Sequence, residues 1–146
     1  NGGTNWDSIA TPTTQRLYRV SFADADNGYA VGNAGVILKT TNGGVSWNSQ
    51  TSGTVQSLYD VSYVSPSTAV ASGGSGTIIR TTDGGSNWNS IGFFSNTRWG
   101  VSFASADHGL VVGDVNLISH TTDGGATWSS PSSLFLMVTK YRCCRR

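Results

Sequence analysis

Units of about 40 residues, each holding four short strand-like runs, predict an all-β protein built of β-propeller blades. The first observation behind this is a repeat. Thr40-Thr41-Asn42-Gly43-Gly44-Val45-Ser46-Trp47 recurs as Thr81-Thr82-Asp83-Gly84-Gly85-Ser86-Asn87-Trp88 and as Thr121-Thr122-Asp123-Gly124-Gly125-Ala126-Thr127-Trp128. A shortened copy, Asn1-Gly2-Gly3-Thr4-Asn5-Trp6, stands at the start, so the tryptophans fall at steps of 41, 41 and 40 residues. The second observation is composition: 146 residues with 19 Gly, two Lys, and eight acids that are all Asp. A chain without the usual exposed helix formers is neither helical nor coiled coil. Five Trp, five Tyr and five Phe supply the core material that a disordered chain lacks.

The elements follow in the same order in every unit. Leu17-Tyr18-Arg19-Val20-Ser21-Phe22 aligns with Leu58-Tyr59-Asp60-Val61-Ser62-Tyr63 and with Arg98-Trp99-Gly100-Val101-Ser102-Phe103. A turn follows, Asp24-Ala25-Asp26-Asn27-Gly28 in the first unit and Ser105-Ala106-Asp107-His108-Gly109 in the third. The second run is Tyr29-Ala30-Val31-Gly32, Val70-Ala71-Ser72-Gly73 or Leu110-Val111-Val112-Gly113. The third is Val36-Ile37-Leu38-Lys39, Thr77-Ile78-Ile79-Arg80 or Leu117-Ile118-Ser119-His120. The tryptophan motif and a Ser/Thr/Asn-rich fourth run close the unit. These runs are rich in β-branched and aromatic residues and bounded by Gly, Asn, Asp and Ser, which is strand patterning. The expected organisation is a partial propeller over 1–130 and a divergent basic tail over 131–146. It comprises a blade end at 1–14 and four-stranded antiparallel blades at about 15–54, 55–95 and 96–130, each of about 41 residues. Such blades bury their faces only against one another.

The recurring motif suits a hairpin between the third and fourth strands. The side chain of Asn42, Asp83 or Asp123 accepts backbone N–H groups two or three residues on. Gly44, Gly85 and Gly125 take positive φ without strain. The hydroxyls of Thr40, Thr81 and Thr121 bind the same turn, and Trp47, Trp88 and Trp128 lay their rings against the blade. Asn42 stands where the later copies carry Asp. An amide keeps the accepting oxygen but not the carboxylate, so these positions read as turn-forming rather than catalytic. Asp24-Ala25-Asp26-Asn27-Gly28 begins like a calcium loop, but the chain has no Glu to close one, and its counterpart Ser65-Pro66-Ser67-Thr68-Ala69 has no carboxylate. No metal and no cofactor are expected. Gly73-Gly74-Ser75-Gly76 leads into a strand, so it is a turn rather than a phosphate cradle.

The Thr-x-Asp-x-Gly-x-x-Trp core resembles the Asp-box of bacterial-neuraminidase-type repeats. The fuller pattern, Val-Ser-Phe-Ala-x-x-Asp-x-Gly followed by Val-Gly, Ile and Thr-Thr-Asp-Gly-Gly-x-x-Trp, resembles the photosystem II stability/assembly factor family and its bacterial relatives across residues 1–130. The resemblance implies a propeller that binds other proteins without catalysis. It also implies an exported (periplasmic or extracellular) or thylakoid-lumen-like location. The third unit departs from the pattern: Gly113-Asp114-Val115-Asn116 lacks the glycine matched by Gly35 and Gly76, so an altered turn is expected. The chain is also too short to close a ring alone, which points to a piece of a longer propeller or to closure by several copies.

Charge narrows the function classes. The net charge is +1, but Lys140, Arg142, Arg145 and Arg146 lie in the tail. Residues 1–139 carry five basic and eight acidic side chains, which speaks against a nucleic-acid surface. No run is apolar enough for a membrane span, and the first residues, which open inside a motif, lack the basic start and apolar core of a signal peptide. Cys143 and Cys144 are adjacent, a poor arrangement for a disulfide between them. The tail reads as a frameshift, an incomplete gene or an expression scar, with Leu134-Phe135-Leu136-Met137-Val138 able to form one more strand.

The first functional reading is a protein-binding scaffold. Lys39, Arg80 and His120 occupy one place in three units and form a candidate docking patch for an acidic partner. The partner is another protein, or a further copy meeting exposed blade faces. The alternatives are part of an Asp-box glycosidase, drawing on Asp60, Asp107 and Asp114, and a fragment with no independent function. A sialidase-type site needs a Glu that this sequence lacks.

Overall fold

The computed structural model describes residues 3–93, 95–115 and 117–130. The first sheet holds β1 (Leu17–Phe22), β2 (Gly28–Gly32), β3 (Ile37–Thr40) and β4 (Asn48–Gln50), paired antiparallel in chain order. The second repeats this with β5 (Leu58–Tyr63), β6 (Ala69–Gly73), β7 (Thr77–Thr81) and β8 (Asn89–Phe93). The third is three-stranded, with β9 (Arg98–Phe103), β10 (Gly109–Gly113) and β11 (Leu117–Thr121). Where a fourth strand is expected, a single bridge joins His120 to Ser129, their N–H groups and carbonyls exchanging two bonds of 2.8 Å. The tail, 131–146, lies outside the described residues.

Strand alternation makes the middle blade two-sided. Ala69, Ala71 and Ile79 face the first blade with Leu58, Val61 and Trp88, against Tyr29, Val31 and Ile37. Val70 and Ile78 face the third blade, packing with Val101 and Val111 and flanked by Phe103 and Trp128. The core is thus two inter-blade layers. Each fully buried Val, Leu or Ile in them contributes roughly 1.5–3 kcal/mol.

The glycine ending each second strand has a steric cause. A Cβ on Gly73 would stand 2.2 Å from the Ser57 carbonyl oxygen, and one on Gly32 would stand 2.1 Å from that of Arg16. Beside it, the Gly74 N–H donates to that same Ser57 oxygen at 2.9 Å, closing the top of the blade. The next turn puts Ala34, Ser75 and Val115 at φ of 53°, 51° and 55°. The third unit therefore keeps the left-handed residue of its siblings. A β-branched residue is costly there, and position 116, where the altered turn is expected, lies outside the described residues.

Candidate functional site

The repeated turn is built from the threonine outward. Thr81 Oγ1 donates to Asp83 Oδ1 at 2.8 Å and accepts the Gly85 N–H at 2.9 Å. Asp83 Oδ1 accepts the Asn87 N–H at 2.9 Å. Thr121, Asp123, Gly125 and Thr127 reproduce this with 2.7, 3.0 and 2.9 Å. Thr40, Asn42, Gly44 and Ser46 do so with 2.9, 2.9 and 3.0 Å. The side-chain acceptor thus reaches four residues on, not the two or three expected, because two left-handed glycines lengthen the turn. Gly43 and Gly44 have φ of 69° and 88°.

The second oxygen distinguishes Asp from Asn. Asp83 Oδ2 accepts from the Asn87 amide at 2.7 Å, whereas Asn42 Nδ2 donates to Ser46 Oγ at 2.9 Å. The Asn87 amide, with its backbone N–H and Thr81, holds the exposed Asp83 carboxyl down to about 2. The Thr127 hydroxyl, with its N–H and Thr121, does the same for Asp123, also to about 2. Each turn is tied to the first hairpin of its own blade: the N–H groups of Gly43, Gly84 and Gly124 donate to the carbonyls of Asp26, Ser67 and Asp107 at 2.9, 2.8 and 3.0 Å. The indole edges of Trp47 and Trp128 lie over the second glycine of their turns. An ideal Cβ on Gly44 or Gly125 would be 3.7 or 3.4 Å from Cζ2 of Trp47 or Trp128. Gly3, with φ 81° and 3.4 Å to Trp6 Cζ2, shows the same local fold in the shortened copy.

Lys39, Arg80 and His120 stand in register at the end of the third strands. Lys39 Nζ donates 2.6 Å to the Gly84 carbonyl of the next blade, and Arg80 Nε donates 2.9 Å to that of Gly124. Two of the three side chains, Lys39 and Arg80, are therefore engaged on neighbouring turns. His120 is exposed and lines a hollow of about 330 Å³ with His108, Leu110 and Thr122.

A residue that sequence reasoning did not place as structural joins all three blades. Asp60, 8% exposed, accepts Arg19 Nε at 3.0 Å from the first blade and the Val101 N–H at 2.9 Å from the third. The signal was present in the alignment. Arg19, Asp60 and Gly100 share one strand position, a cation, an anion and a glycine in succession. Asp114 is also engaged, accepting Trp99 Nε1 at 2.7 Å. Asp107 is exposed in its turn. Tyr18, Tyr59 and Trp99 form a column across the blades, with centroids 5.5 and 4.6 Å apart.

The innermost strands β1, β5 and β9, with Leu110 and Val112 of β10, line a central cleft of about 710 Å³ that presents Arg19, Ser21, Ser62 and Ser102. The two outer faces expose apolar side chains. Val20 and Phe22 are 54% and 43% exposed on the first blade, and Leu110 and Ile118 are 51% and 50% exposed on the third. Among the described residues no group of three His, Cys, Asp or Glu is placed to hold a metal ion. Among the same residues, no helix is long and apolar enough to cross a membrane.

Repeated antiparallel blades, two of them four-stranded among the described residues and each carrying the same Thr/Asp-box turn, define an all-β repeat propeller of the Asp-box kind, here partial. The family model for photosynthesis system II assembly factor YCF48 matches residues 2–91. The chain belongs to that family. No curated protein matches it. A solved structure of YCF48 bound to D1 peptide is 24% identical, with a TM-score of 0.76 over 86% of this chain and 42% of that one. YCF48 from Cyanidioschyzon merolae is 26% identical, with a TM-score of 0.74 over 86% and 39%. The chain thus spans about two fifths of the length of these relatives. An ancestral GH74 enzyme shares the fold at 17% identity and a TM-score of 0.68, over 86% of this chain and 20% of that one.

Proposed function

We propose that this chain is a non-catalytic protein-binding propeller of the assembly-factor type, taking an extended segment of a partner protein along its central cleft. The observation that carries the reading is the cleft itself. Three consecutive innermost strands present equivalent hydroxyls, Ser21, Ser62 and Ser102, beside the partly exposed guanidinium of Arg19. Hydroxyls at one strand position in successive blades can donate to or accept from the amides of an extended peptide. The family relationship and the D1 peptide held by a YCF48 relative point the same way.

The carboxylates support the non-catalytic reading. Asp60 is occupied by Arg19 and Val101, and Asp114 by Trp99. The repeated Thr/Asp-box residues serve the turns, with Asn42 doing the work of Asp83 and Asp123. Lys39 and Arg80 act as blade-to-blade clamps rather than as a free docking patch, since each already donates to a neighbouring carbonyl.

The test is calorimetry with the D1 peptide that the relative binds. Saturable one-to-one binding is expected, weakened at least about tenfold (about 1.4 kcal/mol) when Ser62→Tyr narrows the cleft in a variant whose circular dichroism is unchanged. No heat of binding, or equal affinity in the variant, would exclude the cleft as the site.

A further inference from the structure

We propose that a hollow between the first and second blades binds a neutral saccharide of one or two rings. The inference goes beyond peptide binding, and the hollow shares no lining residue with the central cleft. It measures about 630 Å³, within the range of small-ligand sites. The blade junction that forms it is complete within the chain. One wall is the connection between β4 and β5, and the other is built from β7 and β8 of the second blade.

The connection is held in place by its own hydroxyls. Ser52 Oγ donates 3.1 Å to the Thr54 carbonyl and accepts the Thr54 N–H at 3.3 Å. Thr54 Oγ1 accepts the Gln56 N–H at 3.1 Å. This wall is seated on the first blade, where a Cβ on Gly35 would stand 2.1 Å from the Thr54 carbonyl oxygen. From the second blade, Ser75 Oγ donates 3.2 Å to Gln56 Oε1. That bond orients the Gln56 amide and leaves its Nε2 hydrogens without a partner among the described residues.

The second blade departs from its siblings along the other wall. Thr77 stands where the other units carry Val36 and Leu117. It is 5% exposed and lines the hollow, and its hydroxyl bonds to no group among the described residues. A buried hydroxyl in place of an aliphatic side chain is costly unless something pairs with it. Ser90 stands where the third unit carries Ser130. Ser130 Oγ meets Ser119 Oγ at 2.8 Å, whereas Ser90 lies opposite Ile79, so its hydroxyl lacks that partner. Ile79 and Trp88, both buried, supply an apolar floor. Among the described residues none that lines the hollow is charged, so it offers nothing to hold an ion. An uncharged site with an apolar floor, two unpaired hydroxyls and one oriented amide matches a sugar ring. Such a ring has an apolar C–H face, and its hydroxyls both donate and accept.

Amide NMR of the full chain, titrated in turn with maltose, cellobiose and lactose, tests this. At least one of these sugars should shift the backbone amides of Thr77 and Ser90 and the side-chain amide of Gln56 along one saturable curve. Thr77→Val removes a hydroxyl and restores the aliphatic type of the sibling units, so the variant should fold. It should weaken binding about fivefold. Ser90→Trp starts from an exposed position and fills the hollow, so it should abolish the shifts. Circular dichroism checks that both variants keep the fold. No saturable shift with any of the three sugars would overturn the proposal. So would saturable shifts confined to residues outside the hollow, or an affinity unchanged in both variants.

Discussion

Trp6 and Trp88 occupy the same place in the repeat but differ in what covers them. Trp6 is 89% exposed, whereas Trp88 is 7% exposed and meets Tyr29 edge-on, with centroids 5.4 Å apart. Chemical denaturation should therefore separate them. Trp88→Ala should lose about 3–5 kcal/mol, and Trp6→Ala should stay within about 0.5 kcal/mol of the unmodified chain. The sequence showed both residues as anchors of one motif. Burial depends on a neighbouring blade, and no local pattern encodes which copies have one. Val115 makes the converse case. Its φ of 55° follows its siblings, and at 75% exposure it gains nothing from burial. Val115→Gly should raise stability by about 1 kcal/mol, read as a higher melting temperature. The missing glycine at the following position suggested a different turn; that position, 116, lies outside the described residues, and Val115 before it has the left-handed φ of Ala34 and Ser75.

At the scale of the element, the turn chemistry was legible as a set of residue types, and its reach was not. An Asx acceptor ordinarily closes a tight turn on itself. Here the two left-handed glycines carry the chain one residue further before it meets the carboxylate. The consequence is measurable in acid. Asp83 and Asp123 are held down to about 2 by bonds present only in the folded turn, against an ordinary value of 3.8. Their contribution is complete above about pH 4 and is lost as the pH falls toward 2. Melting temperatures measured across that window should fall. The double variant Asp83→Asn, Asp123→Asn should remove part of the slope, since Asn42 already makes such a turn without a titrating group. Strands were readable from β-branched and aromatic runs bounded by turn residues, as was the glycine that ends each second strand. The reason for that glycine, a carbonyl where a Cβ would sit, required the structure. Gly73→Ala should cost about 1–3 kcal/mol in denaturant titration although its φ is extended, because the clash is with backbone.

Across the whole molecule, the blades are joined by the two apolar layers and by hydrogen bonds between blades, of which Asp60 accepts one from each neighbouring blade. Removing its carboxylate leaves the Val101 N–H without that acceptor and frees Arg19. Asp60→Ala should cost on the order of 2 kcal/mol. Arg19→Ala should cost under about 1 kcal/mol, because the guanidinium is largely solvated. Their double-mutant cycle should couple. The repeat announced the propeller from sequence, yet the ties between blades lie where the copies differ, which an eye trained on identities passes over. The same scale holds the functional claim, since the cleft exists only where three blades present their innermost strands together. Hydrogen exchange with and without the D1 peptide tests that claim most directly. Added protection confined to amides of residues 17–22, 58–63 and 98–103 is the predicted result. Protection elsewhere, on the Thr/Asp-box turns or the outer strands, or none at all, would contradict it.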